Sequence, residues 1–404
     1  MSSIAGDITT ATTPLSRIAA ATEGLESPTA AVDLTALDAN AAALRARANG
    51  VPIRIASKSV RCRAVLNRVL AAQGVSGVMA YSLREAIWLA QSGVDDILMG
   101  YPTVDRAALA EVVNDRVLSG RITLMVDNVA QLDLVRDAAR SDLLKPRICI
   151  DVDASLRVGP LHIGVRRSPL RDPEQVAQFA RQARSRGFRV VGLMFYEAQI
   201  AGVPDANVAV ELMKSLSSRE IGARRTAVVD AVTAAIGPLE IVNSGGTGSI
   251  DFSAADPAVS EVTAGSGLFA PTLFDRYRAF SAEPSLFFAL PVVRKPSPRI
   301  ATAFGGGYIA SGPASWSRSP RPVGWSRRAA GVVTSGLKLL RNEGAGEVQT
   351  PVSGAEEVRI GDRIWFRHAK AGELCERFDT LSLVHSDGSV DAVPTYRGEG
   401  MAFG

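Results

Sequence analysis

Residues 77–100, GVMAYSLREAIWLAQSGVDDILMG, hold two short apolar runs, GVMAY at 77–81 and DILMG at 96–100, with the helix-patterned REAIWLAQSG between them. A strand, a helix and a second strand in so short a span pair in parallel, because the helix carries the chain back to the end where it started. The same unit repeats outward in both directions. Upstream, Leu34, Leu37, Ala41 and Leu44 share one helical face that Asn49-Gly50 ends, and a strand follows at 53–57. Downstream, RAALAEVV leads to ITLMV (122–126), VAQLDLVRDAA to RICIDV (147–152), PEQVAQFARQARSRG to VVGLMFY (190–196) and RRTAVVDAVTAAIG to LEIVN (239–243). SEVTAG, at 260–265, is the last such run. Eight strands alternating with helices within about 250 residues predict an α/β protein built on a closed (β/α)8, TIM-like barrel rather than an open sheet.

Past Asp275 the pattern changes. LFFALPVV, RIATAFGGGYIA, AGVVTSGLKLL, RIWFRH, DTLSLVHS and SVDAVPTY are short, punctuated by Gly and Pro, and free of long helical patterns. They predict a second, β-rich C-terminal domain. The division is therefore an N-terminal segment (1–27) that packs on the β domain or stays loose, a barrel (28–275) and the β-rich domain (276–404).

The composition is that of a globular protein: 404 residues, 47% hydrophobic, with 45 basic and 41 acidic residues for a net charge of +4. That mild excess of positive charge favours an anionic small molecule. The local basic cluster, SRSPRPVGWSRR at 317–328, is Pro-broken and reads as a solvated loop rather than a nucleic-acid surface. The N-terminus lacks the pattern of a signal peptide and no apolar run has the length of a membrane span, which predicts a cytoplasmic protein with neither nucleic acid nor membrane as partner. Cys62, Cys149 and Cys375 are odd in number and widely spaced, so free thiols are expected.

A parallel barrel gathers its chemistry where its strands end. Lys58 closes the first strand; Arg157 and His162 follow the fifth; Tyr196, Glu197 and Gln199 close the sixth. NSGGTGS (243–249) follows the seventh and AGSG (264–267) the eighth. Two glycine-rich loops side by side at this face suit a phosphate, because missing side chains let backbone N–H groups approach the anion and Ser and Thr hydroxyls add donors. A lysine amine across the mouth from a bound phosphate can condense with an aldehyde, and pyridoxal 5′-phosphate carries both groups.

These residues resemble the fold type III pyridoxal-phosphate enzymes, and within them the D-threonine aldolase and D-serine dehydratase branch, related to the N-terminal domain of alanine racemase. The resemblance runs from SPTAAVDLTALDANAA through IASKSVR, SLRVG, MFYEAQIAG, NSGGTGS and EVTAGSG into the tail. It implies that Lys58 is the Schiff-base lysine, that Arg157 and Tyr196 lie near the cofactor, and that Gly245, Gly246, Thr247, Gly265 and Ser266 hold its phosphate. It also implies a homodimer. In that branch two metal ligands, a His and a Cys or Asp, stand one residue apart, and GDRIWFRHAKAGELC is similar to the segment that carries them. Here the match is imperfect, for His368 lies seven positions before Cys375. A divalent metal, zinc or manganese, would use His368 with Cys375 or Glu373 with Cys375, and the alternative is that no metal is bound.

The implied activity is that of a lyase on a β-hydroxy D-amino acid, by aldol cleavage or by dehydration and deamination, with Lys58 also the candidate proton-transferring base. A racemase, using Lys58 with a tyrosine such as Tyr308 or Tyr396, is the second reading. A non-catalytic cofactor-binding protein is the third, and the extra β domain speaks against it.

Overall fold

The computed structural model describes residues 13–403 apart from 142, 143, 206, 314, 335 and 371. Eight parallel strands close into a barrel: Ile53–Ala56, Val75–Ala80, Ile97–Met99, Ile122–Val126, Arg147–Val152, Arg189–Phe195, Ile241–Ser244 and Glu261–Ala264, with the last paired to the first. Each coincides with a run read from the sequence. The helices between them are set by local signals. Asp33 caps Leu34–Ala48, whose C-terminus Asn49 closes in the left-handed region (φ 47°), and Ser82 caps Leu83–Gln91. Val208–Ile236 is the longest, extending well upstream of the stretch that marks it in the sequence.

The barrel interior is not wholly apolar. Arg54, fully buried on the first strand, donates to both oxygens of Glu261 (2.7 and 2.8 Å) and of Asp96 (3.0 and 2.9 Å). A buried guanidinium persists only when its charge and its donors are matched, and two bidentate carboxylates do both. Glu261 also accepts from Asn243 Nδ2 (2.7 Å), and Asn243 exchanges hydrogen bonds with the Thr263 hydroxyl.

The second domain is a ten-stranded sheet. One of its central strands is Thr29–Asp33, antiparallel to Leu286–Ser297 and parallel to Thr380–Val384. The sequence division placed this stretch with the barrel; its pairing places it in the sheet. All five of its residues are buried, as befits a strand with neighbours on both sides and cover on both faces. Along Leu286–Ser297 the side chains alternate: Leu286, Phe288 and Leu290 join the main core, while Phe287 and Ala289 meet Trp365 and Val384 on the other face. The helix Pro14–Ala21 covers that second face with Leu15, Ile18 and Ala19, so the described part of the N-terminal segment packs on the β domain.

The basic cluster at 317–328 is not a solvated loop. Arg321–Arg327 is a strand between Arg363–Arg367 and Gly331–Thr334, with a register shift between Pro322 and Gly324, and Ser326 Oγ accepts from the buried Trp365 indole. Its arginines are partnered: Arg327 with Asp362 and Arg321 with Asp275. Strands at Gln349–Ser353 and Lys338–Leu339 complete the sheet with Ile300–Phe304. Among the described residues no helix is long and apolar enough to cross a membrane. All three cysteines are free and buried.

Candidate active site

A cavity of about 530 Å³ opens at the C-terminal ends of the barrel strands. Lys58 lies in a single 3₁₀ turn, Ser57–Ser59, immediately after the first strand, and its amine reaches the Tyr101 hydroxyl at 2.6 Å. Tyr101 follows the third strand by two residues, the same strand-end position that marked Lys58, Tyr196 and the glycine loops. Sequence reading passed over it, although its place after DILMG carried the signal. Burial alone would push its phenol up, but the Lys58 ammonium and then Arg167 outweigh burial and leave it below its ordinary value.

Arg157, expected near the cofactor, does not line this cavity. Its side chain is 47% exposed on a hairpin after the fifth strand and donates to Asp153 at 2.6 Å. The arginine that does line it is Arg167, whose guanidinium lies 4.9 Å from the Tyr196 ring and 5.3 Å from the Tyr101 ring. Both arginines follow the fifth strand, and only the fold of the intervening hairpin separates the exposed one from the enclosed one. His162 sits on that hairpin beside Arg157, outside the cavity. Below Arg167, burial and then the neighbouring Asp127 push the Asp151 carboxyl up to about 7, against the pull of Arg167.

Gly245, Gly246, Thr247, Gly265 and Ser266 come together in the same cavity as Lys58, on the loops of the two strands that follow one another round to the lysine's own. A side chain at Gly265 would stand 2.7 Å from the Ala56 carbonyl oxygen and 2.9 Å from Ser59 Cβ, so a glycine lets the eighth loop lie against the lysine turn. Thr247 Oγ1 accepts from the Gly267 N–H (3.0 Å), which joins the two loops. The backbone N–H groups of Thr247 and Ser266 have no acceptor among the described residues and are available to an anion. The loop after the seventh strand is braced from behind by Glu197, whose fully buried carboxylate accepts from the Ser249, Ser253 and Ser244 hydroxyls (2.7, 2.6 and 3.0 Å) and the Gly245 N–H (3.3 Å). Tyr196, half-buried beside it, also lines the cavity.

These groups fit pyridoxal phosphate: one cavity holds an amine, an anion cradle and apolar walls from Met79, Val165, Met194, Leu273 and Phe274. The tail residues do not fit a divalent metal in the same way. His368 is buried with neither ring nitrogen hydrogen-bonded among the described residues, and burial pushes its imidazole down to about 3, the neutral form a metal needs; what is missing is its partners. Cys375 does not share its cavity; burial, with Cys62 next to it, holds the thiol well above its ordinary value. Glu373 turns its carboxylate to the Ser311 N–H at 3.0 Å. Among the described residues no three metal-ligating side chains converge. The tyrosines a racemase would call on are elsewhere as well. Tyr308 lines a neighbouring cavity, and Tyr396 is buried against Trp88 and Phe403.

Residues 32–271 match the family model of the alanine racemase N-terminal domain. A D-threonine aldolase of an Arthrobacter species is 28% identical over 293 residues, which cover 70% of this chain and 71% of the aldolase. Among solved structures, the D-threo-3-hydroxyaspartate dehydratase of Delftia sp. HT23 superposes with a TM-score of 0.75 at 21% identity, covering 92% of this chain and 98% of the dehydratase. The D-threonine aldolase of Filomicrobium marinum gives 0.74 at 18% identity, covering 93% and 96%. A D-threo-3-hydroxyaspartate dehydratase of the same fold is also known as a metal-free cysteine-to-alanine variant, and as a variant of a histidine two positions before that cysteine.

Proposed function

Because this chain belongs to the family of the alanine racemase N-terminal domain, we propose that it is a pyridoxal-phosphate-dependent lyase acting on β-hydroxy D-amino acids. The observation that carries the reading is that one cavity joins the Lys58 amine to the paired loops after the seventh and eighth strands. The aldolase and dehydratase relatives supply the substrate class.

Pyridoxal phosphate, when bound, supplies a ring that stabilises negative charge at the substrate Cα. The protein's own groups do the rest. Thr247 and Ser266 would donate to the phosphate, Glu197 fixes the loop that carries Thr247, and Arg167 lies against the Tyr101 and Tyr196 rings. Lys58 Nζ moves the proton at Cα in the dehydration route, and Tyr101 Oη, at hydrogen-bond distance, holds the amine in place and shares its proton. In aldol cleavage the proton to be moved is instead that of the β-hydroxyl. Racemisation ranks second, because neither Tyr308 nor Tyr396 faces Lys58 in this cavity.

A homodimer is part of the proposal. Val208, Leu212 and Leu216 form an exposed apolar stripe (77%, 60% and 48%) along one helix face, and Val158 and Leu161 are exposed on the hairpin. A cytoplasmic location agrees with three buried free thiols. The test is incubation of purified, cofactor-loaded protein with D-threonine and with D-serine, assaying aldehyde and keto acid separately. Aldehyde identifies an aldolase and keto acid a dehydratase; racemised alanine as sole product would overturn the lyase.

A further inference from the structure

The cavity has a second lysine. Lys370 lines it together with Lys58, from a loop of the β domain, and its backbone is pinned on both sides. Before it, the carbonyls of His368 and Ala369 accept from the N–H groups of Thr272 and Leu273 (3.1 and 3.0 Å). After it, Gly372 lies so close to the barrel that a Cβ there would stand 2.4 Å from the Ser59 carbonyl carbon, next to Lys58 itself. Among the described residues the ammonium donates only to neutral oxygens, Ser311 Oγ (3.2 Å) and Ser311 O (3.4 Å), and has no ion pair. The Glu373 carboxylate holds that serine loop by its N–H. An ammonium held on a fixed backbone and without an ion pair is an electrostatic device aimed at a ligand.

Lys370 also stands two positions after His368, the spacing that separates the histidine from the cysteine varied in the metal-free dehydratase. A cation on this wall repels a second cation, which agrees with the failure of His368, Glu373 and Cys375 to assemble a metal site.

We propose that the Lys370 ammonium is the fixed positive charge that hydrogen-bonds the substrate's β-oxygen, in the role a divalent metal would fill. This rests on the reading of the substrate as a β-hydroxy amino acid. It makes the protein's preference for hydroxylated ligands a property of one lysine and independent of metal.

The test uses cofactor-loaded protein, with loading checked by absorbance in each variant. Zinc and manganese content is measured by mass spectrometry, and is expected to be far below one ion per chain, with D-serine binding unchanged by chelator. D-serine and D-alanine are then titrated while the bound cofactor's absorbance is followed. Wild type is expected to favour D-serine. Lys370→Met should weaken D-serine on the order of 10- to 100-fold, the scale of a lost charged hydrogen bond, and leave D-alanine within about threefold. Lys370→Arg should recover part of the loss. Stoichiometric metal, no preference for D-serine in wild type, or equal weakening of both ligands would each overturn the proposal. Because the readout is binding, it stands apart from turnover: a protein that prefers D-serine through Lys370 yet releases neither aldehyde nor keto acid would sink the lyase reading and keep this one.

Discussion

The two walls of the cavity were assembled by different kinds of information. On the barrel side, Lys58, Tyr101, Tyr196, Thr247 and Ser266 each lie within a few residues of a strand's C-terminal end. The alternation that sets the fold therefore also sets where these side chains point. On the β-domain side, Ser311 and Lys370 arrive on loops of the second sheet, and their approach to Lys58 depends on long-range pairing. A local pattern can locate a strand end; it cannot say which loop of another sheet will cover it. The barrel wall should thus hold the cofactor, and the β-domain wall should choose the substrate.

The largest expected effect tests the barrel wall. Lys58→Ala should lower kcat/KM by at least about 10³-fold, the scale of a lost acid–base group, and abolish borohydride fixation of the cofactor to the chain. Full activity in that variant would move the reaction off the strand ends altogether. A smaller effect separates the two arginines after the fifth strand. Arg167→Leu, which empties the space over Tyr101 and Tyr196, should cost on the order of 100-fold in activity. Arg157→Leu removes an exposed guanidinium from the buried Asp153, which keeps Ser155 and Arg171 as partners, and should stay within about threefold. The reverse ranking would show the hairpin closing over the cavity when the cofactor binds.

That pair also shows how far the sequence could be read. Eight strands and a change to β structure after residue 275 were legible because burial imposes its period directly on the chain. The glycine loops were legible because a phosphate needs backbone. The resemblance points to Arg157 and is silent on Arg167; both lie on one polar stretch, and only the pairing of Leu156–Val158 with Leu161–Ile163 decides which turns outward. Thr29–Asp33 read as the lead-in to a barrel helix, since nothing local marks a strand whose partners lie at the other end of the chain. Arg321–Arg327 read as a loop because Pro322 and Gly324 break its pattern, yet both fall at the register shift where a strand accepts them.

The seam between the walls can be loosened without touching either set of functional side chains. Gly372→Ala would drive a methyl into the Ser59 backbone, which has no freedom to retreat beside the lysine turn. The expected loss is about 1–3 kcal/mol, read as a lower urea midpoint at unchanged slope. Gly24→Ala, where nothing lies within 4 Å, should change stability by less than about 0.5 kcal/mol. If both were silent, the β-domain loop would not be bearing on the barrel, and Lys370 would lose its fixed position.

The smallest expected effect is a pH dependence built into the same seam. Glu85 is fully buried beside Tyr396 of the tail, with Oε2 accepting the Tyr81 N–H at 2.8 Å and Oε1 without a hydrogen bond among the described residues. Burial pushes its carboxyl up to about 7, and the hydrogen bonds it accepts only partly oppose that. The folded chain therefore keeps a proton that the unfolded chain has already released. Stability from this group is complete below the usual carboxylate range, and it is lost as pH rises through about 7. Glu85→Gln, which keeps the shape and cannot ionise, should flatten the stability profile by about 1 kcal/mol between roughly pH 6 and pH 8. Urea midpoints at the two pH values measure it. A profile as steep as wild type would assign the slope to Asp151 on the barrel wall, whose raised carboxyl acts in the same direction.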